Sequence, residues 1–313
     1  MTKSGAVIGR DVTAAGAHRR APLALPAWLP ADVWPFETTQ IDVDGSPIAI
    51  ADAGAGPVLL FYTGIGAFIW RDVMLRLSAD FRCVVLDPPG IGLSAPVARS
   101  ATTLARSARA VAAVIEALDL RNMTLVVHDT GCPPALAAAA RTPDRIRGIV
   151  GVNTFGWKPA GAAFRGMLAL MGSSATRRID LATGLLASVT ATSFGVGRHL
   201  DETSRRAYRA GLERSMGAFH DYLGEARFSD EIYDEVTRAL TGPFRCLPLL
   251  TIFGERNDPL GFQPQWKRLF PGSRQITVPN GNHFPMCDDP GLVAGAIRAW
   301  HHEVLGASME RPR

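Results

Sequence analysis

Apolar residues along this chain fall into short blocks separated by turns rich in Gly, Pro and Asp, and the blocks follow two different periods. Runs of four or five residues at 58–62, 83–86, 124–127, 149–153, 249–253 and 275–278 are too short for helices. Being rich in Val, Ile, Leu and Thr, they predict strands buried on both faces. Segments at about 69–78, 102–118, 135–141 and 291–305 carry helical spacing. Near the start, residues 39–43 and 47–52 bracket Asp44-Gly45, a two-residue hairpin signal. Strand and helix then alternate, which predicts an α/β fold, a mostly parallel sheet with helices on both faces. Residues 156–245 break the alternation, because they are rich in Ala, Leu and Arg and helical in pattern throughout. They predict a helical cap inserted after the sixth strand, lying over the carboxyl ends of the strands where open α/β sheets bind ligands. The core is then 31–155 and 246–313, preceded by a flexible arm over 1–30.

Composition narrows the class without naming it. The chain has 313 residues, 47% hydrophobic and 20% charged, enough for a large core. Its formal charge of +4 comes from scattered arginines rather than a basic run with interleaved aromatics, so no nucleic-acid footprint is expected. No stretch approaches the roughly 18 uninterrupted apolar residues of a membrane span. Arg19-Arg20 resembles an export signal, but Ala-Pro-Leu-Ala-Leu-Pro follows, proline-broken and too short for a signal core. Cys83, Cys132, Cys246 and Cys287 show no paired spacing and read as core thiols in a reducing compartment. A cytoplasmic protein is expected, a monomer or small homo-oligomer.

The chemistry concentrates in loops that follow strands. Val126-Val127-His128-Asp129-Thr130-Gly131 runs from a strand end into a small-residue turn, the setting of a nucleophile elbow. A carboxylate there needs no base to attack a saturated carbon, and the resulting alkyl ester needs a histidine to activate the water that hydrolyses it. An Asp between strand and helix is also a common helix cap. His283 is the one histidine placed after the last strand on the site-bearing side, and His128, beside the elbow on a strand, reads as structural. Asp258, in the loop 254–259, is the expected acidic partner of His283, with a turn residue before Pro259 as the other reading; Asn153 is uncharged and does not supply that acid. Thr63-Gly64-Ile65-Gly66 follows the third strand, and its amides, with that of Thr130, are candidates for an anion-binding corner. No cofactor or metal is called for, and the partner expected is a small apolar substrate.

With these parts in the order Asp129, Asp258, His283, the chain resembles α/β-hydrolase-fold enzymes of the aspartate-nucleophile branch: haloalkane dehalogenases, fluoroacetate dehalogenases and epoxide hydrolases. The resemblance runs from about Trp34 to Trp300. It is carried by Trp34-Pro35-Phe36-Glu37, by Gly56-Pro57, and by the strand and glycine turn from Phe81 to Ser94. Asn153-Thr154-Phe155-Gly156-Trp157 and, in the cap, Ala207-Tyr208-Arg209-Ala210 add to it. The resemblance implies halide-binding groups at two positions, and the chain departs at both: Thr130 replaces the usual Trp, and Ile65 stands where an Asn is usual. The Thr130 hydroxyl and the Trp157 indole are the expected substitutes, with Thr63 nearby. Epoxide hydrolases instead protonate an alkoxide from cap tyrosines, and Tyr222 resembles one of these.

Overall fold

The computed structural model describes residues 20–306. Nine strands form one sheet: β1 (Ala21–Pro22), β2 (Thr38–Val43), β3 (Ser46–Ala53), β4 (Val58–Thr63), β5 (Arg82–Leu86), β6 (Met123–Asp129), β7 (Ile146–Thr154), β8 (Leu249–Gly254) and β9 (Arg274–Val278). Their spatial order is β1-β2-β3-β5-β4-β6-β7-β8-β9. β1, β2 and β3 pair antiparallel, as do β3 and β5, and all other pairs are parallel. The β2–β3 hairpin turns on Asp44 (φ 53°) and Gly45 (φ 74°), the left-handed pair that matches the twist of flanking strands.

Helices α1 (Arg71–Leu77), α2 (Leu104–Ala117) and α3 (Cys132–Ala140) connect the central strands. From β4 the chain steps one way to β5, then reverses past β4 to β6 and β7. Right-handed crossovers therefore put α1 on one face and α2 with α3 on the other. The strand order reverses between β4 and β6, so the loops leaving those two strands flank a crevice suited to a ligand. α3 begins at Cys132, three residues earlier than its periodicity suggests. Pro133 and Pro134 sit in its first turn, where no intrahelical donor is lost, and its alanines let it lie close on the sheet.

Residues 156–245 hold five helices and, among the described residues, no strand: α4 (Ala162–Met171), α5 (Ser174–Thr183), α6 (Leu185–Thr190), α7 (Glu202–Glu225) and α8 (Asp230–Thr241). A buried hub ties four of them together. His220 on α7 bonds through Nδ1 to the Met171 carbonyl of α4 (2.6 Å) and through Nε2 to Asp180 of α5 (2.9 Å). The second Asp180 oxygen accepts the Leu186 amide of α6 (2.7 Å). After the cap come α9 (Phe262–Leu269), α10 (Pro285–Asp288) and α11 (Pro290–Trp300), the last packed on α1.

Two expectations change at the amino-terminal side. The arm expected over 1–30 is docked wherever it is described, and residues 1–19, with Arg19 of the arginine pair, lie outside the described residues. Ala21 and Pro22 pair with Gln40 and Thr39, Arg20 reaches Thr39 and Asp52, and Leu29 is buried. Proline is tolerated on an edge strand, so the Pro-rich composition does not keep this segment off the sheet. That extra strand also makes the cap follow the seventh strand rather than the sixth. Of the four free cysteines, Cys246 is exposed and the other three are buried.

Candidate functional site

Asp129 ends β6 with φ +48°, a left-handed conformation that a non-glycine residue adopts only under tertiary constraint. Two contacts impose it. The Gly131 amide donates to the His128 carbonyl, closing the turn, and the Thr154 hydroxyl donates to the Asp129 carbonyl at 2.6 Å. Gly131 has no room for a side chain, since a Cβ there would lie 2.5 Å from the Thr63 Cα on neighbouring β4. The elbow thus lifts the Asp129 carboxylate into a cavity while its backbone stays on the sheet. Burial pushes this carboxyl upward, but a side-chain interaction with His283, the nearby charge and the Thr130 N–H outweigh it, holding the group below the ordinary carboxylate range.

His283 stands across from it, with Nε2 3.6 Å from Asp129 Oδ2. That separation exceeds a direct hydrogen bond. Its tautomer follows from a chain of contacts. The Gly254 amide donates to Asn153 Oδ1 (2.9 Å), so Asn153 presents Nδ2 on its other side. Nδ2 donates to Asn257 Oδ1 (3.1 Å), and the Asn257 oxygen is therefore what faces His283 Nδ1 at 2.9 Å. Nδ1 must carry a proton, so in the neutral ring it is the Nε2 lone pair that lies toward Asp129. The backbone is pinned as well: the His283 carbonyl accepts from Asn153 Nδ2 (3.1 Å) and from His128 Nε2 (3.0 Å). His128 is fully buried and its imidazole is pushed down to about 3 chiefly by that burial, so it is neutral, donating through Nε2 and accepting the Thr63 hydroxyl at Nδ1 (3.2 Å).

Asp258, expected as the partner of His283, is not there. Its two oxygens accept the amides of Phe262 and Gln263 (2.6 and 2.9 Å), so it closes the turn into α9 and leaves the histidine to its neighbour Asn257. Thr63 is likewise wholly buried, with its hydroxyl on His128 rather than in the cavity. Trp157 packs edge-on to Phe262 and against Trp266 where the cap leaves the core, and is absent from the cavity lining. Tyr222 is buried under the elbow and donates to the Thr130 carbonyl (2.8 Å), a structural bond between the cap and the Asp129 turn. Burial raises its phenol well above the ordinary range.

Ile65 and Thr130 do line the cavity, beside Asp129, Asn257, His283 and Phe284. Thr130 Oγ1 is buried without a hydrogen-bond partner, and Gly64 gives it space, since a Cβ on Gly64 would approach it to 2.5 Å. The loop carrying Ile65 is held by Asp87, whose oxygens accept the amides of Ala67 (2.6 Å) and Leu93 (2.8 Å). Burial raises the Asp87 carboxyl to about 6 against those two bonds. The cavity measures about 370 Å³ and is closed on the cap side by apolar residues such as Leu168, Leu186 and Leu223. Met167, Val189 and Phe194 both line it and reach solvent, so it opens through the cap.

The residues that sequence reasoning missed are Asn257 and the cap lining. Asn257 adjoins the aspartate chosen for its charge, and no local signal separates the two. An asparagine in the left-handed region at Asn153 (φ 37°) is a backbone clue visible only in the fold.

The sequence matches the alpha/beta hydrolase fold family over residues 56–290. It is 26% identical over 275 residues to haloalkane dehalogenase 2 of Mycobacterium tuberculosis, covering 85% of this chain and 95% of that protein. To a haloalkane dehalogenase of Agrobacterium fabrum it is 36% identical over 107 residues, 34% of this chain and 35% of the other. A crystal structure of a haloalkane dehalogenase from Bradyrhizobium elkani superposes with TM-score 0.72 at 21% identity, over 87% of this chain and 99% of that one.

Proposed function

Because the chain belongs to the α/β-hydrolase fold family and resembles haloalkane dehalogenases, we propose that it is a hydrolase of small apolar alkyl halides, acting through an ester on Asp129. The observation that carries this reading is the strained Asp129 turn, which aims an ionised carboxylate into an apolar cavity with the His283 Nε2 lone pair 3.6 Å away. A carboxylate in apolar surroundings is a competent nucleophile toward carbon, and an alkyl chain fits a lining of Leu, Met, Val and Phe.

In the first step an Asp129 oxygen bonds to the substrate carbon and the halide leaves with the carbon–halogen electron pair. Thr130 lines the cavity, and its hydroxyl, buried and unpartnered, is the donor we assign to the leaving halide. In the second step water enters between His283 and the ester. His283 Nε2 takes its proton, the oxygen attacks the Asp129 carboxyl carbon, and the imidazolium returns the proton to the departing alkoxide. Alcohol leaves, and the carboxylate is restored as the second water proton passes from the Asp129 carboxyl to solvent. The neutral His128 and the two asparagines hold His283 for this exchange.

Epoxide opening is disfavoured by the position of Tyr222, whose hydroxyl is committed to the Thr130 carbonyl and does not face the cavity. The test is turnover of 1-bromohexane against 1,2-epoxyhexane, following bromide, hexanol and diol. Bromide and hexanol in equal amounts are expected. Diol without halide release from the bromide, or no product from either, would overturn the reading.

A further inference from the structure

His283 differs from an ordinary triad base in one respect: the group on its Nδ1 is an amide. Among the described residues the carboxylate paired with its ring is Asp129 itself. Asp258 is occupied by two backbone amides of α9. Asp288, the other nearby acid, accepts the Asn282 amide and pairs with Arg198 (3.1 Å). Both groups that orient the histidine, Asn257 and Asn153, are neutral.

An orienting carboxylate does two things for a triad histidine: it selects the tautomer and it stabilises the imidazolium formed when the base takes a proton. Asn257 Oδ1 does the first, because Asn153 and the Gly254 amide fix which of its atoms faces His283. It contributes nothing to the second beyond a neutral dipole. Carbon attack by Asp129 involves no imidazolium, whereas ester hydrolysis passes through one. The substitution therefore weighs on one half of the reaction only.

Resting on the reading of Asp129 as nucleophile, we infer that Asn257 and Asn153 form a neutral relay that keeps His283 in the basic tautomer yet slows ester hydrolysis, so that the alkyl ester of Asp129 is the species that accumulates during turnover. Asn257 is a positioning residue, and its identity sets the ratio of the two steps. A hydrogen bond to an ionised partner is roughly twice as strong as a neutral one, so a carboxylate at 257 should speed hydrolysis by on the order of tenfold.

The experiment mixes full-length protein with excess 1-bromohexane, records bromide release on the stopped-flow scale, and weighs the intact protein after acid quench. Wild type should release about one equivalent of bromide quickly, continue slowly, and be found mostly heavier by one hexyl group. Asn257→Asp should keep the fast phase, raise the slow phase about tenfold and lower the fraction of adduct. Linear bromide release with no adduct in wild type overturns the inference while leaving Asp129 as nucleophile, and this holds whether or not the variant folds. A folded Asn257→Asp protein with an unchanged slow phase overturns it too. If neither wild type nor His283→Gln releases bromide or gains an alkyl group, the nucleophile reading falls and takes the inference with it.

Discussion

The two walls of the cavity are built on different principles. On the core side each chemical group is held by side-chain-to-backbone bonds between loops: Thr154 on Asp129, Asn153 on Gly254 and on His283, His128 on His283, Asp87 on Ala67. On the cap side the lining is aliphatic and aromatic apart from Thr190, whose hydroxyl is spent on the Leu186 carbonyl, three of its members reach solvent, and the polar anchor lies behind it, in the His220–Asp180 hub. Directional bonds fix atoms to within a fraction of an ångström, as bond-making requires. Apolar packing fixes volume and tolerates exchange of one side chain for another. In the proposed function, reaction type therefore belongs to the core and substrate choice to the cap.

The sharpest way to break this comparison is to remove a core group. Asp129→Ala should reduce turnover to background while thermal unfolding stays near wild type, since the contacts from Gly131 and Thr154 that hold the turn do not involve the carboxylate. His283→Gln should release one equivalent of halide and stop, with the alkyl group on the peptide containing Asp129. Continued turnover in either variant would move the chemistry elsewhere.

A cap substitution should behave differently. Leu186→Phe narrows the cavity without touching a hydrogen-bonding side chain. It should lower kcat/KM for hexyl and longer bromides by about tenfold, in keeping with about 1–3 kcal/mol per methylene misfit, and leave short bromides nearly unchanged. An equal loss for every chain length would mean that cap and core are not separable.

Tyr222 bridges the two walls and sharpens the comparison. Tyr222→Phe removes the donor from the buried Thr130 carbonyl, which should cost about 1–3 kcal/mol of stability with only a few-fold change in rate. A rate loss of a hundredfold or more would instead make it a proton donor.

The smallest effect concerns pH. Asp87 titrates higher in the folded chain, at about 6, than in an unfolded one, so between about pH 4 and pH 6 the native state holds more proton. Stability from this group is full below that window and declines as pH rises through it. Denaturant unfolding of Asp87→Asn, compared with wild type, should show the variant gaining on the order of 2–3 kcal/mol relative to wild type from pH 4 to pH 7. A constant difference would show that Asp87 is ionised throughout.

Much of the core was legible in the sequence because two local signals, apolar period and turn chemistry, are imposed by the sheet itself. Five of the six strands expected to be buried, the Asp44-Gly45 hairpin, and the placement of Asp129 and His283 after strands follow from them, while β9 lies at the sheet edge and is largely exposed. The remaining residues depend on which way a side chain leaves an irregular loop. Asn257 and Asp258 are adjacent, and charge points to the second, yet the start of α9 captures Asp258 and turns Asn257 toward the histidine. Trp157 and Tyr222 are cap residues whose type suggests a polar role, and packing instead placed them in an aromatic cluster and under the elbow. The docking of residues 20–30 depends on a free sheet edge that composition does not reveal.

The origin of the oxygen in the product tests the central claim most directly. A single turnover of substoichiometric 1-bromohexane by wild-type protein in H₂¹⁸O should yield hexanol carrying unlabelled oxygen, with ¹⁸O appearing in the Asp129 side chain. Labelled hexanol from that first turnover, with Asp129 unlabelled, would mean that water attacks the carbon directly and that Asp129 is not the nucleophile.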